Sequence, residues 1–330
     1  MSGVLCTLVI AELAQGRPSK LTCELLGLAR NLAGTTGGAV AAALLASHTD
    51  GIASELIAHG ADRVYAIEHP MFGSYHSESW VGAAAQICKD AAPGAVLIGH
   101  TVSGADLAPR LAFRLGTAVA MGCEGVSFVA DKLAFTRPCF GGNARQTVSF
   151  KTAPAVATVR AGCYDAPAPD RERRGEVTPL EQPLGEEALR VKVIERRRDA
   201  DDGARLEEAA IVVAGGRGLN GPEGFRLLER LAATLGAAVG ASRVPCDLGW
   251  CPRSWQIGLT GRTVQPDLYI AVGISGAGHH MAGCGGAKAI VAVNTDREAA
   301  IFKDARFGVV GDYRQFVPAL IEEVRKLLGD

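Results

Sequence analysis

The chain has 330 residues and a formal net charge of −1, with 48% apolar and 21% charged residues. This composition predicts a globular protein of about two domains and excludes a disordered chain, while the near-zero charge argues against nucleic acid as a partner. The longest apolar runs, such as residues 39–46, are far shorter than the ~20 residues needed to cross a bilayer, so a membrane protein is not expected.

The N-terminus and the cysteines indicate a reducing compartment. Residues 1–5 lead directly into the first strand pattern, which leaves no room for a signal or transit peptide. The nine cysteines are odd in number, lack a CxxC pair and often sit within apolar runs, as Cys6, Cys23 and Cys88 do. They are interpreted as packing residues. We therefore expect a cytoplasmic protein, or a mitochondrial-matrix protein if the source is a eukaryote.

Residues 1–163 are predicted to form an N-terminal α/β domain. Short apolar runs typical of strands alternate with segments of helical spacing, which indicates parallel strands covered by helices. The predicted strands are Val4–Ala11, Ala39–Ala46, Arg63–Ile67 and Ala95–Gly99. The predicted helices are Leu21–Leu32, Ile52–His59, Trp80–Ala91 and Ala105–Leu115.

After Leu115 the alternation stops, and four strand patterns follow without helices between them. They are Ala118–Val129, Lys132–Thr136, Gln146–Phe150 and Ala155–Val159, with a hairpin turn predicted at residues 141–143. Strands joined in this way predict an antiparallel extension of the sheet.

The run HTVSGAD (100–106) is this domain's candidate for a phosphate-binding loop. Ser and Asp are also favoured at helix starts, so a turn and helix cap without a ligand is the competing interpretation.

Residues 164–204 are predicted to be a linker. Residues 164–190 hold four prolines, many charges and few apolar side chains, a composition that cannot bury enough surface to fold alone. Residues 191–194 are interpreted as one possible strand, and residues 195–204 as a second charged stretch.

Residues 205–330 open with a strand pattern at Ile211–Ala214, followed by GRGLNG (216–221) and a helix beginning near Pro222. The glycines satisfy G-x-G-x-x-G in a strand–turn–helix setting, which can cradle a dinucleotide phosphate. The acidic residue that would hold the ribose of NAD is missing, whereas Arg243 could accommodate NADP. An NADP-dependent dehydrogenase is therefore one alternative, and a nonredox nucleotide sensor is another. A tightly packed turn without a ligand remains a third interpretation of the glycines.

Longer runs in this domain resemble a known family. Residues 236–261 read GAAVGASRVPCDLGWCPRSWQIGLTG, residues 266–280 read PDLYIAVGISGAGHH and residues 291–296 read VAVNTD, after GGRG at 215–218. In order and spacing they resemble the flavin domain of electron transfer flavoprotein alpha (large) subunits. The first domain is similar to that family's N-terminal domain in its βα layout and in TLVIAE (7–12). The resemblance covers almost the whole chain.

The resemblance implies a two-domain α/β fold in which residues 205–330 form a doubly wound parallel-sheet FAD domain. It also implies an electron carrier, not an enzyme with a substrate of its own. Electrons would come from a flavin dehydrogenase of the acyl-CoA dehydrogenase type and pass to a quinone-reductase-type acceptor. The implied partner is a beta subunit carrying AMP, or a second FAD if the complex is electron-bifurcating.

The resemblance also implies the cofactor contacts. Arg243 would lie against the isoalloxazine ring, Thr260 would hydrogen-bond flavin N5, and His280 would lie near the N1/C2=O edge; together they would tune the flavin's potential. The other implied FAD contacts are Arg217, Ser242, Ile257, Gly258, Leu259, Ser275, Gly276, Ala277, Gly278, His279, Asn294, Asp312 and Tyr313.

Two positions depart from the family pattern. Leu259 and His279 stand where the family often has glutamine, and this change in hydrogen bonding is expected to alter the redox potential more than FAD binding. The adjacent pair His279–His280 is not expected to bind a metal, because neighbouring helical residues point about 100° apart and no third ligand is evident.

Overall fold

The structure is a computed structural model that describes residues 5–129, 132–140, 144–183, 185, 189–191, 194–195, 206–207 and 209–328. The chain divides into two compact units, residues 1–196 and 197–330. The predicted turn at 141–143 lies outside the described residues, as do residues 192–193 of the possible strand and residues 196–204 of the charged stretch.

The first unit contains a parallel sheet and a small antiparallel sheet. Its helices are α1 (Lys20–Thr36), α2 (Ile52–Ala58), α3 (Ser77–Ala91) and α4 (Val102–Arg114). Its strands are β1 (Thr7–Ile10), β2 (Leu13–Ala14), β3 (Arg17–Pro18), β4 (Val40–Ala46), β5 (Arg63–Glu68), β6 (Ala95–Gly99), β7 (Val119–Cys123), β8 (Gly125–Val129), β9 (Lys132–Cys139), β10 (Ala144–Val148), β11 (Ala155–Val159) and β12 (Glu176–Pro179).

The large sheet has the strand order β12-β5-β4-β1-β6-β11-β7, and every neighbouring pair is parallel. Successive residues of its strands point to opposite faces, so Val9 joins one core cluster and Leu8 the other. Helices α1 and α2 cover the first face, and α3 and α4 cover the second. The predicted βα alternation is confirmed.

The predicted antiparallel extension is correct for residues 125–148 and wrong for β7 and β11. The predicted strand Ala118–Val129 is two strands, of which β7 pairs in parallel with β11 in the large sheet and only β8 is antiparallel. Strands β8, β9 and β10 form a separate antiparallel sheet. Strand β11, by contrast, lies parallel between β6 and β7 in the large sheet. All five residues of β11 are buried, as in a central parallel strand covered on both faces. The antiparallel sheet thus takes the place of a helix in the crossover from β7 to β11.

The predicted linker is also wrong in part. Residues Glu176–Pro179 form β12, which pairs with the edge strand β5. An ion pair of 2.6 Å joins Arg63 Nη2 to Glu176 Oε2, and Leu180 N donates to the Ala66 carbonyl. Backbone pairing orders this segment although it has little apolar surface, and Pro179 is tolerated because the strand is at the sheet edge.

HTVSGAD forms a capped turn. Thr101 is the N-cap of α4, and its hydroxyl accepts a hydrogen bond from Gly104 N at 2.9 Å. The same hydroxyl donates to Glu12 Oε1 at 2.8 Å. These bonds are those of the cap interpretation, in which the turn needs no ligand.

The second unit is a doubly wound parallel sheet, as predicted. Its strands are β13 (Ile211–Gly215), β14 (Ala238–Ala241), β15 (Leu268–Val272), β16 (Ala289–Asn294) and β17 (Phe307–Val310), and its helices are α5 (Glu223–Leu235), α6 (Arg243–Asp247), α7 (Gly278–Cys284) and α8 (Tyr313–Leu328). The strand order is β14-β13-β15-β16-β17, with all neighbours parallel. Helices α5 and α8 cover one face, and α7 with residues 257–264 covers the other. None of the helices in the described ranges is long and apolar enough to cross a membrane.

Candidate functional site

The strand order of the second unit reverses between β13 and β15. In such sheets ligands bind outside the carboxyl ends of the strands at this point. The loops after β13 and β15 pack closely there: Gly218 N donates to the Gly273 carbonyl at 3.0 Å, and a Cβ on Gly218 would lie 2.9 Å from Gly273 Cα. A Cβ on Gly216 would overlap the same carbonyl. Two glycines of GRGLNG therefore permit contact between loops, so the packed-turn interpretation holds for them.

A cleft of about 740 Å³ opens at these strand ends. Its volume lies within the range of small-molecule sites. The predicted residues that line it are Arg217, Ser242, Arg243, Ile257, Gly258, Leu259, Thr260, Ser275, Ala277, His279, His280 and Asn294. The structure thus brings twelve predicted positions, from four separate stretches of the chain, to one cavity.

The loop after β15 presents unused backbone donors at the cleft. Ser275 and Ala277 line the cavity, and in the described part of the chain the backbone N–H groups of residues 275–277 donate to no protein acceptor. Gly278 is the first residue of α7, where a backbone N–H has no partner within the helix. Successive free N–H groups of this kind bind anions such as phosphate.

Two arginines give the cleft positive charge. Arg217 is exposed and, among the residues that the structure describes, makes no ion pair. Arg243 is 66% exposed at its side chain, and its Nε lies 3.0 Å from Asp247 Oδ2 one helical turn away. The carboxylate thus offsets part of the charge of Arg243, whereas that of Arg217 is available to an anionic ligand.

The hydroxyl of Thr260 is oriented by a neighbour that the sequence did not reveal. Gln256 Nε2 donates to Thr260 Oγ1 at 3.0 Å, and both residues line the cleft. Because the hydroxyl oxygen accepts this bond, its own proton is free to donate to a ligand. Gln256 is nearly buried, so the protein itself fixes the orientation of the Thr260 hydroxyl.

His280 is a buried wall of the cleft, with 7% of its surface exposed. Burial lowers the pKa of its imidazole, and a hydrogen bond to the Ile257 carbonyl partly opposes this effect. Nδ1–H donates to that carbonyl at 3.1 Å, which leaves Nε2 to accept from the Tyr269 hydroxyl at 3.0 Å. The ring is therefore held neutral with both nitrogens bonded inside the protein. Its predicted contact with flavin stays a prediction.

Four predicted residues do not line the cleft. Gly276 has φ +82° and packs against the Ile301 backbone, and Gly278 starts α7. Asp312 lies at the start of α8, where its Oδ1 accepts from Arg314 N at 2.9 Å. Tyr313 is buried, and its hydroxyl donates to the Leu219 carbonyl at 2.9 Å. It thereby fixes the turn that carries Arg217.

Asn294 lines the cleft, but both the nitrogen and the oxygen of its side-chain amide are hydrogen-bonded to loop backbone. Its Nδ2 donates to the Ile274 carbonyl at 2.9 Å, and its Oδ1 accepts from Asp296 N at 3.0 Å. It therefore makes the turn expected of Asn at a strand end and also ties β16 to the β15 loop.

Sequence reasoning missed nine lining residues. Gly218 and Asn220 belong to the GRGLNG motif, while Gly273, Ile274, Thr295 and Asp296 directly follow strands, whose carboxyl ends could have pointed to them. Val244, Gln256 and Ala299 carry no such signal. The nine are Gly218, Asn220, Val244, Gln256, Gly273, Ile274, Thr295, Asp296 and Ala299.

The NADP-dehydrogenase alternative is not supported. In a dinucleotide fold of that type the third glycine opens a helix whose N-terminus meets the pyrophosphate. Here neither Gly221 nor the start of α5 is part of the cleft. In the described ranges, no group of three His, Cys, Asp or Glu side chains could hold a metal ion.

Fold and cleft together define a nucleotide-binding α/β protein: a doubly wound parallel sheet with a cavity and free N–H donors at its reversal point. Comparison with known families specifies it further. The electron transfer flavoprotein domain matches residues 7–184, and the electron transfer flavoprotein FAD-binding domain matches residues 205–285. The chain therefore belongs to the family of electron transfer flavoprotein alpha subunits, as the sequence resemblance predicted.

Individual members of the family are similar to this chain in sequence over almost its whole length. The electron transfer flavoprotein subunit alpha of Thermoanaerobacterium thermosaccharolyticum is 40% identical over 321 residues, which is 97% of each chain. That of Bacillus subtilis is 40% identical over 320 residues, again 97% of each chain. That of Megasphaera elsdenii is 37% identical over 326 residues, or 97% of this chain and 96% of the relative.

Proposed function

We propose that the cleft of the second unit binds FAD and that the chain shuttles electrons as one subunit of an electron transfer flavoprotein. The observation that carries the proposal is the row of free N–H donors at residues 275–278, with Arg217 unpaired in the described structure. A pyrophosphate accepts such donors and balances such a charge.

The width of the cleft favours a dinucleotide over a mononucleotide. Its lining residues follow the ends of β14, β13, β15 and β16, four neighbouring strands. Three strand spacings amount to about 14 Å. A ligand extended across them would place a flavin near residues 242–260 and an adenosine near Asn294, with the pyrophosphate between.

At the flavin end this chain's own residues would tune the cofactor. FAD supplies one- and two-electron chemistry when bound. The Thr260 hydroxyl, oriented by Gln256, has a proton to donate to flavin N5. Arg243 brings a permanent positive charge to the wall, and the neutral His280 excludes water from the buried side.

At the nucleotide end Asp312 and Tyr313 would act through other groups. Tyr313 holds the Leu219 carbonyl, two residues after Arg217. Asp312 shapes the start of α8 that places Tyr313. We therefore assign both residues to positioning of the site.

The partners follow from the family. The relatives are named as alpha subunits, which supports a beta subunit as the partner in a heterodimer. We propose that this beta subunit carries AMP or a second FAD. We propose a flavin dehydrogenase of the acyl-CoA dehydrogenase type as donor and a quinone-reductase-type oxidoreductase as acceptor, working in the cytoplasm.

Release of the cofactor tests the site. The chain purified with its beta subunit should be yellow, and denaturation should release FAD and not FMN. Chromatography of the released cofactor, with a count of flavin per alpha chain, is the measurement. A colourless complex that binds ATP would favour a nucleotide sensor and contradict the proposal, as would FMN or NADP alone.

A further inference from the structure

Two cysteines meet next to the cleft. The Sγ atoms of Cys246 and Cys251 are 3.5 Å apart, although the residues were expected to be unrelated packing groups. Cys246 is the penultimate residue of the short helix α6, which begins at the cleft residue Arg243. Cys246 is 6% exposed and Cys251 is half-buried.

The backbone turn after α6 brings the two cysteines together. After α6 the chain reverses at Gly249, whose φ is +70°. Gly249 N donates to the Cys246 carbonyl at 3.1 Å, and Trp250 N donates to the Pro245 carbonyl at 2.9 Å. These are the two hydrogen bonds of a Schellman motif, which fixes the residues on either side of a helix end. The motif therefore places Cys251 beside Cys246.

The two thiols have different roles in the contact. The hydrogen bond between them lowers the pKa of Cys246 and raises that of Cys251. Cys246 Sγ also donates to the Pro252 carbonyl at 3.6 Å, so Cys251 is the donor in the contact between the two thiols. Thiolate is the nucleophilic form, so Cys246 is the group that reacts with an oxidant, and Cys251 is the thiol beside it.

We propose that Cys246 and Cys251 are a redox-modification site that closes to a disulfide with a hydroperoxide as oxidant. The Cys246 thiolate attacks the peroxide oxygen, the O–O bond breaks, and hydroxide leaves, giving a sulfenic acid. Cys251 then attacks the Cys246 sulfur and water leaves as the S–S bond forms. In sum, two thiols and one hydrogen peroxide give one disulfide and two waters.

Formation of the disulfide is expected to affect the cleft through Asp247. This carboxylate accepts from Arg243 at 3.0 Å and from Arg253 at 3.1 Å. To form a bond the sulfurs must approach by about 1.5 Å, which moves the last turn of α6 and with it the carboxylate that holds Arg243. Oxidation therefore alters FAD binding or potential. This coupling rests on the proposed FAD site, whereas the disulfide does not.

Tryptic mass mapping tests the site directly in the full chain purified with its beta subunit. Cleavage after Arg243 and Arg253 releases residues 244–253, which contain both cysteines and no others. With hydrogen peroxide this peptide should lose the mass of two hydrogens, and dithiothreitol should restore it. Cys251→Ser should stop at a sulfenic acid on Cys246 that dimedone traps, and Cys246→Ser should abolish the reaction. Cys139→Ser removes another partly buried cysteine and should leave it unchanged.

An unaltered peptide, a sulfinic acid at Cys246 in place of the disulfide, or a bridge to another cysteine would overturn the proposal. Flavin absorbance before and after oxidation, in wild type and Cys251→Ser, tests the coupling. Unchanged flavin content and potential despite a mapped disulfide would overturn the coupling alone. A protein without flavin in either state would overturn the proposed function and leave the disulfide standing.

Discussion

At the scale of single residues, Asp247 controls how much of the Arg243 charge acts on the cleft. The pair is separated by 3.0 Å and is largely solvent-exposed. A fixed cation near the flavin lowers the energy of a negative charge that arrives on reduction. A nearby carboxylate opposes that effect, so the balance between the two side chains is expected to set the potential.

Replacement of Arg243 tests this balance. Two unit charges ~4 Å apart interact by about 4 kcal/mol at an effective dielectric near 20, before solvation losses. A loss of ~1–2 kcal/mol corresponds to a first-electron potential lower by roughly 40–90 mV in Arg243→Ala. Arg243→Lys should be intermediate because it keeps the charge and loses the planar stack.

The measurement is a spectroelectrochemical titration of the assembled complex. Arg226→Ala is the control, since it removes an exposed arginine of α5, paired with Glu223, that is not part of the cleft. If Arg243→Ala binds FAD normally and keeps the wild-type potential, Arg243 does not lie at the ring.

Glu12 makes the first unit sensitive to pH. Burial raises the pKa of its carboxyl to about 7 from 4.5, opposed by the hydrogen bond from Thr101. The folded state therefore binds the proton more tightly than the unfolded state. Since protonation favours folding, this contribution is present below about pH 4.5 and is lost as pH rises through about 7.

Glu12→Gln should remove that pH dependence. Between about pH 5 and pH 8 the wild type is expected to lose about 1–3 kcal/mol more unfolding free energy than Glu12→Gln. Urea unfolding of both proteins at the two pH values measures the difference. Glu229→Gln, a change on the exposed side of α5, should behave like wild type. Equal losses in wild type and Glu12→Gln would show that Glu12 is not the source.

At the scale of elements, the loop between β15 and α7 combines ligand donors with tight packing. Gly276 has φ +82°, and a Cβ there would overlap the Ile301 backbone N. Gly278, two residues later, has open space around it and no positive φ. Gly276 is thus required for the packing of the loop, whereas Gly278 is not and serves only the predicted phosphate contacts.

Alanine at these two glycines is a matched comparison. Gly276→Ala should lower the free energy of unfolding by about 2 kcal/mol or more, because the backbone is strained and the Ile301 segment must move. Gly278→Ala keeps its N–H and should stay within about 0.5 kcal/mol of wild type. Denaturant unfolding with flavin retention measures both. Similar effects from both substitutions would contradict this account of the loop.

At the scale of the whole molecule, the chain has two compact units, and only the second carries the described cleft. Under the proposed heterodimer, the beta subunit covers part of the second unit. The chain expressed alone should therefore aggregate or bind flavin poorly. Sedimentation and flavin content of the separate chain, against the co-expressed complex, measure this. A stable, fully flavinylated monomer would count against the heterodimer.

Local patterns in the sequence were sufficient to predict much of the order of the elements and many of the residues that line the cleft. Alternating strand and helix periods predicted the parallel βα order of the first unit, because residues buried on one face recur with the period of their own element. The doubly wound sheet of the second unit was implied by the family resemblance. The motif runs at the ends of β13, β14, β15 and β16, which resemble those of a known family, predicted twelve of the cleft residues. They meet because the carboxyl ends of parallel strands lie at the same edge of the sheet.

Only the tertiary structure decided which distant segments pair. The apolar pattern of β11 fits either strand direction, and its parallel place between β6 and β7 depends on the path of the antiparallel sheet before it. Strand β12 has almost no apolar signal, because backbone bonds to β5 hold it. Likewise the Gln256–Thr260 bond and the Cys246–Cys251 contact arise where turns fold back. A pattern read along the chain records burial within one element, whereas these contacts depend on where the chain returns.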